Sequence, residues 1–187
     1  MGAGVEVGGG KALGGKGNVV ILEGVKGAIT STDRVRGFND AVKEAPGVKL
    51  LTSQPANYQR LQALQVMENV MQSFPQIDGV LAANDAMATG VIEALEGANR
   101  KALVVGVNGT KEAVDLIKAG KLLASGDYAG FTQGCLGVEV AVRALRKQPV
   151  PKEVVLKPVV IDKSNYQIYE QPIEGRACPT LDDVNKS

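Results

Sequence analysis

Six residues of this sequence carry groups suited to holding a ligand: Arg34, Tyr58, Asn84, Asn108, Asp127 and Tyr128. Together they supply a guanidinium, amides, a carboxylate and phenol rings. Amides and carboxylates give directional hydrogen bonds to hydroxyls, while an aromatic face packs on C–H groups, so the set suits a neutral polyhydroxyl compound. The chemistry that is missing is equally informative. The sequence contains no His, the commonest general base and metal ligand, and its 2 Cys residues are too few to build a zinc site. No nucleophile stands beside a base and no carboxylates cluster for a metal, so no catalytic residue, metal or cofactor is expected and binding without chemistry is the better reading.

Each candidate also has a plain structural account. Arg34 could pair with a carboxylate on its own helix surface. Tyr58 could be a ring covering the surface, and Asn84 could satisfy loop backbone. Asn108 before Gly109 suits a tight turn, and Asp127 and Tyr128 could be ordinary loop residues. The neighbouring Asp85 reads more readily as a helix N-cap than as a ligand group.

The elements that must position these residues follow from the hydrophobic pattern. Short apolar runs read as buried strands at Val19 to Leu22, Val48 to Leu51, Val80 to Ala82, Leu103 to Val105 and Leu122 to Ala124. Between them lie helical periods: Val35, Phe38, Val42 and Ala45; Leu61, Leu64, Met67, Met71 and Phe74; Val91, Ile92 and Leu95; Ala113, Val114 and Ile117. Pro46-Gly47, Pro75, Gly97 and Gly120 close the helices, and Asp85 and Thr110 suit their starts. Strands apolar on both faces and separated by helices mean a doubly wound parallel α/β sheet. In such sheets ligands bind beyond the carboxyl ends of the strands, where five of the six candidates fall; Arg34 joins them from the first turns of the helix after the first strand.

A Gly-rich lead-in over residues 1–17 precedes the α/β lobe, expected over 18–128. Within it Gly10 to Gly17 fits a phosphate-loop spacing as far as Lys16. The hydroxyl residue is missing and a strand follows where a helix should, so a turn is the better account. After the lobe come a helix from about Thr132 to Lys147 and a linker, together spanning 129–157, then a final strand at Val159 to Ile161 within a tail of 158–187. The longest apolar runs fall well short of the roughly 18 residues of a membrane helix. No charged start followed by an apolar stretch and a cleavage site precedes the first strand. With 21 Lys and Arg against 20 Asp and Glu, no field of one sign is available for nucleic acid or anionic lipid.

Several stretches, in this order and at this spacing, resemble the ribose-binding family of periplasmic sugar-binding proteins. They are Asp33-Arg34-Val35-Arg36-Gly37-Phe38, Thr52-Ser53-Gln54-Pro55-Ala56-Asn57-Tyr58, Ala83-Asn84-Asp85-Ala86-Met87-Ala88, Val104-Val105-Gly106-Val107-Asn108-Gly109-Thr110 and Gly120-Lys121-Leu122. Members are receptors for ABC importers and close paired α/β lobes on a sugar by hinge motion. The resemblance implies that this chain is the second lobe of a type I periplasmic binding protein, with the helix that crosses back toward the first lobe. By motif, Arg34 matches a sugar-binding arginine, Tyr58 a stacking aromatic and Asn84 a hydroxyl-binding amide. Asn108 stands where an aspartate is usual and Tyr128 where a glutamine is usual, which changes the hydroxyls that can be satisfied and argues against ribose itself.

The resemblance thus implies a sugar or polyol ligand, ABC importer membrane subunits as partners of the intact protein, and a periplasmic location. The reading from another class is the effector-sensing domain of a lactose-repressor-type transcription regulator; no helix-turn-helix candidate precedes the lobe. A sugar-handling enzyme is disfavoured by the missing catalytic constellation. In an exported protein, Cys135 near the start of the last long helix and Cys178 in the polar tail suggest a disulfide that pins the tail to that helix; otherwise both are inert thiols. With no first lobe to cover it, that helix is expected to expose Leu136, Val140 and neighbouring apolar groups, favouring a homodimer.

Overall fold

The computed structural model describes residues 12–184, so most of the Gly-rich lead-in and the last residues of the tail lie outside the described residues. Strands and helices alternate: β1 (Lys16–Glu23), α1 (Ile29–Glu44), β2 (Gly47–Pro55), α2 (Arg60–Ser73), β3 (Gly79–Ala82), α3 (Asp85–Gly97), β4 (Leu103–Val107), α4 (Lys111–Lys118) and β5 (Ala124–Asp127). Then come α5 (Gly130–Leu145), β6 (Val159–Asp162), 3-10 turns at Tyr166–Tyr169 and Ile173–Gly175, and the single turn α6 (Leu181–Val184). The sheet runs in the order β2-β1-β3-β4-β5-β6. β1 to β5 pair in parallel and β6 lies antiparallel on β5. No helix among the described residues is long and apolar enough to cross a membrane.

This is the doubly wound α/β class expected from the pattern, and its strand order has a functional consequence. The chain leaves β1 toward β2, then returns across it to β3, so the connections diverge between β1 and β3. In open parallel sheets that divergence opens a crevice at the carboxyl edge, where ligands bind.

The central strands read as apolar because both their faces are covered. Val20, Ile21, Leu22, Val80 and Ala82 are fully buried, and Val104 and Val105 nearly so. α2 and α3 pack so closely that a Cβ on Gly90 would run into the Arg60 carbonyl oxygen, which explains a glycine inside a helix. Arg60 also ties three helices together at the surface, pairing with Glu93 of α3 and Glu112 of α4.

Three expectations are corrected. The strand placed at Leu122 to Ala124 runs instead over Ala124–Asp127. The backbone N–H groups of Lys121 and Leu122 are still closing α4 on the Leu116 carbonyl, so the strand continues through Ser125-Gly126-Asp127, which carry no apolar signal. The N-cap of α3 is Asn84, whose side chain accepts from the Met87 N–H; Asp85 is turned inward. Leu136, expected on the exposed face of α5, is only 5% exposed, and the exposed apolar groups of α5 are Val138, Val142 and Leu145. Thr110 caps α4 as expected, accepting from the Ala113 N–H.

Candidate functional site

Arg34 lies in the second turn of α1, which follows β1, and its guanidinium reaches across to the end of β3, where Nη1 donates to the Ala83 carbonyl at 2.6 Å. It faces aromatic rings on either hand. Its Cζ lies 5.6 Å from the Tyr58 ring centroid and 5.8 Å from that of Tyr128. This is within the range of cation–π attraction, so each ring helps hold the charge in place. The own-helix ion pair open to Arg34 belongs to Arg36, which pairs with Asp33 at 3.0 Å.

Tyr58 reaches its position through a strained loop. Asn57 and Tyr58 both have positive φ, 52° and 62°, a conformation non-glycine residues seldom adopt. The ring lies over Gly24 at the end of β1, where any Cβ would occupy its place, and the hydroxyl donates to Thr30 Oγ1 at 3.0 Å. Asn84 completes the arrangement from the end of β3. Its Nδ2 donates to the Tyr58 carbonyl at 3.2 Å while its Oδ1 caps α3. The structure therefore brings Arg34, Tyr58, Asn84 and Tyr128 together directly over the β1/β3 divergence.

Asn108 and Asp127 sit farther along the same edge, on the ends of the paired strands β4 and β5. Asn108 has φ 141° and its backbone N–H donates to the Gly126 carbonyl. Its carboxamide takes no hydrogen bond from the other described residues and is half-exposed, so it is available to a ligand. Asp127 is more committed: Oδ1 accepts from the Ala129 N–H at 2.8 Å, and Tyr169 of the tail lies against it. Burial first, then the Asp127 charge, push the Tyr169 phenol above its ordinary range. No hydrogen bond or ring contact ties Asn108 or Asp127 to the Arg34 cluster among the described residues. Arg34, Tyr58, Asn108, Asp127 and Tyr128 are all half-buried, so the surface they form is open to solvent.

Beneath it lies a buried scaffold. Asp85 accepts from Ser125 Oγ at 2.6 Å and from the Thr110 N–H at 2.8 Å, and Ser125 Oγ in turn accepts from the Gly109 N–H. One carboxylate thus fixes the β4–α4 loop, which carries Asn108, to the start of α3 and to β5. Burial holds the Asp85 carboxyl above the usual carboxylate range, opposed by the hydrogen bonds from Ser125 and Thr110. Sequence reasoning left Gly24, Thr30 and Ser125 out of the site. Gly24 directly after a strand was a usable signal; the hydroxyls of Thr30 and Ser125 act through partners distant in sequence, which no local pattern shows. Among the described residues no group of three metal-ligating side chains is found.

A family model described as a periplasmic binding protein domain matches residues 9–149. The xylitol-binding protein of Mycolicibacterium smegmatis is 34% identical over 158 residues, which cover 83% of this chain and 45% of that protein. The ribose import binding protein of Haemophilus influenzae is 34% identical over 151 residues, covering 81% and 51%. Among solved structures, an ABC transporter periplasmic solute binding protein from Actinobacillus succinogenes with bound D-allose superposes with a TM-score of 0.83 at 36% identity, covering 90% of this chain and 62% of that one. The chain spans about half the length of the curated relatives it matches.

Proposed function

We propose that this chain, which belongs to the periplasmic binding protein family, is a solute-binding lobe that holds a neutral sugar or polyol against the carboxyl edge of its sheet without transforming it. The observation that carries the reading is Arg34 held between the rings of Tyr58 and Tyr128 beside Asn84, directly at the divergence of β1 and β3. Ring faces there can pack on C–H groups, while the remaining guanidinium N–H groups and the Asn108 amide donate to hydroxyls. In the intact protein a first lobe closes over the ligand, and the complex delivers it to the membrane subunits of an ABC importer from the periplasm.

On this reading residues 18–128 form the binding lobe, 129–157 the crossing helix and linker, and 158–187 the returning strand and tail. Relatives named as binding proteins for xylitol, ribose and D-allose support a polyhydroxyl ligand and a transport role over an enzyme or a transcription regulator. No observation supports a homodimer, since Leu136, the apolar group expected to drive it, is buried.

Saturation-transfer NMR with xylitol, D-ribose, D-allose and myo-inositol tests the reading. At least one of these should receive transfer from the wild-type chain, and Arg34→Gln and Tyr58→Ala should each reduce it severalfold. Transfer to none of them, or transfer left at its wild-type level by both substitutions, overturns the assignment.

A further inference from the structure

α5 is attached to the lobe in an unusual way. Leu136 is its only buried residue, and neither Leu136 nor the buried Leu181 of the tail joins the main core cluster. What holds α5 is the tail. Cys135 and Cys178 form a disulfide with Cα atoms 5.5 Å apart, and the Leu181 N–H donates to Glu139 Oε2 at 2.8 Å. The other end of the tail is anchored on the lobe: Lys163 Nζ donates to the Lys118 carbonyl of α4, and Glu170 pairs with Lys118 at 2.6 Å.

The tail therefore bridges the lobe and α5 independently of the linkers that join them. On the near side, only Tyr128 and Ala129 separate β5 from α5. Ala129 has φ 59°, a conformation a non-glycine residue keeps only when its surroundings impose it. Gln133 of the first turn of α5 donates to the Tyr128 carbonyl at 2.6 Å. Any swing of α5 must consequently turn Tyr128, whose ring lies over Arg34.

We propose that the tail is a strap, closed by Cys135–Cys178, which sets the angle of α5 and through it the position of Tyr128 over Arg34. Tyr128 is thus a positioned wall of the ligand surface, and the disulfide acts on that surface from the far side of the linker. The consequence for ligand specificity rests on the binding reading above; the mechanical coupling does not.

The test compares the full chain with its Cys135→Ser/Cys178→Ser variant, without ligand. The Arg34 Nε–H resonance, shifted by the ring of Tyr128, should move toward its position in Tyr128→Ala. Amide exchange over α5 should rise about tenfold or more, while exchange at Val20, Val80 and Val104 stays at its wild-type rate. An unmoved Arg34 resonance overturns the proposal, as does faster exchange throughout the core, which marks the disulfide as a general stabiliser. Should the variant fold poorly, mild reduction of the folded wild-type chain with dithiothreitol is read by the same criteria. Since no sugar is used, failure here leaves the ligand reading standing, and failure to bind polyols leaves the strap standing.

Discussion

At the scale of single residues, the site depends on groups that act through one another. Tyr58 is placed by Gly24 beneath its ring and Thr30 at its hydroxyl, so removing either the ring or the space for it has one consequence. Tyr58→Ala should weaken polyol binding by on the order of 1 kcal/mol through lost packing, and Gly24→Ala should cost a similar amount by displacing the ring. Titrating the two single variants and their double variant checks this: the double should lose little more than either alone, and fully additive losses would separate the residues. Asp85 makes a different prediction. An amide there can accept from only one of its two present donors, so Asp85→Asn should cost about 1–3 kcal/mol of unfolding free energy despite its matched shape. The folded carboxyl is raised above its unfolded value, so the wild type loses stability as pH rises through the interval between the two, whereas the amide does not. The deficit of Asp85→Asn in denaturant unfolding should therefore be larger at acid pH and smaller above that interval; a gap that widens with rising pH contradicts the assignment.

At the scale of elements, hydrophobic periodicity located almost every strand and helix because burial on both sheet faces leaves a direct mark on composition. It misplaced β5 because Ser125, Gly126 and Asp127 serve hydrogen bonds, which have no periodic signature. β2 was shortened for a related reason: as an edge strand it is half-exposed, so Gln54 and Pro55 carry no apolar mark. The candidate residues were legible from their places after strands, whereas the side chains that orient them come from other elements and were not. The apolar stripe of α5 was legible, and the attachment of the tail to it only through the pair Cys135 and Cys178, because the tail is polar in most of its length. The α2–α3 contact offers a stability test at this scale. Gly90→Ala forces a methyl group against the Arg60 backbone and should destabilise the fold by about 1–3 kcal/mol, read from the midpoint of urea unfolding. An unchanged midpoint would show that the two helices can separate without penalty.

At the scale of the whole molecule, a ligand surface open to solvent and a chain spanning about half of its relatives' length fit one another. A ligand held from one side keeps much of its surface in water, so binding to this chain should be weak and fast compared with that of a closing pair of lobes. Weak binding can still be located. The most direct measurement follows backbone amide shifts of the full chain as xylitol is added to millimolar concentration. The account predicts perturbations at Gly24, Arg34, Tyr58, Asn84 and Asn108, together at the carboxyl edge of the sheet. Shifts concentrated instead at the opposite edge, around Lys16, Asp78 and Arg100, or none with any of the four polyhydroxyl compounds, would contradict it.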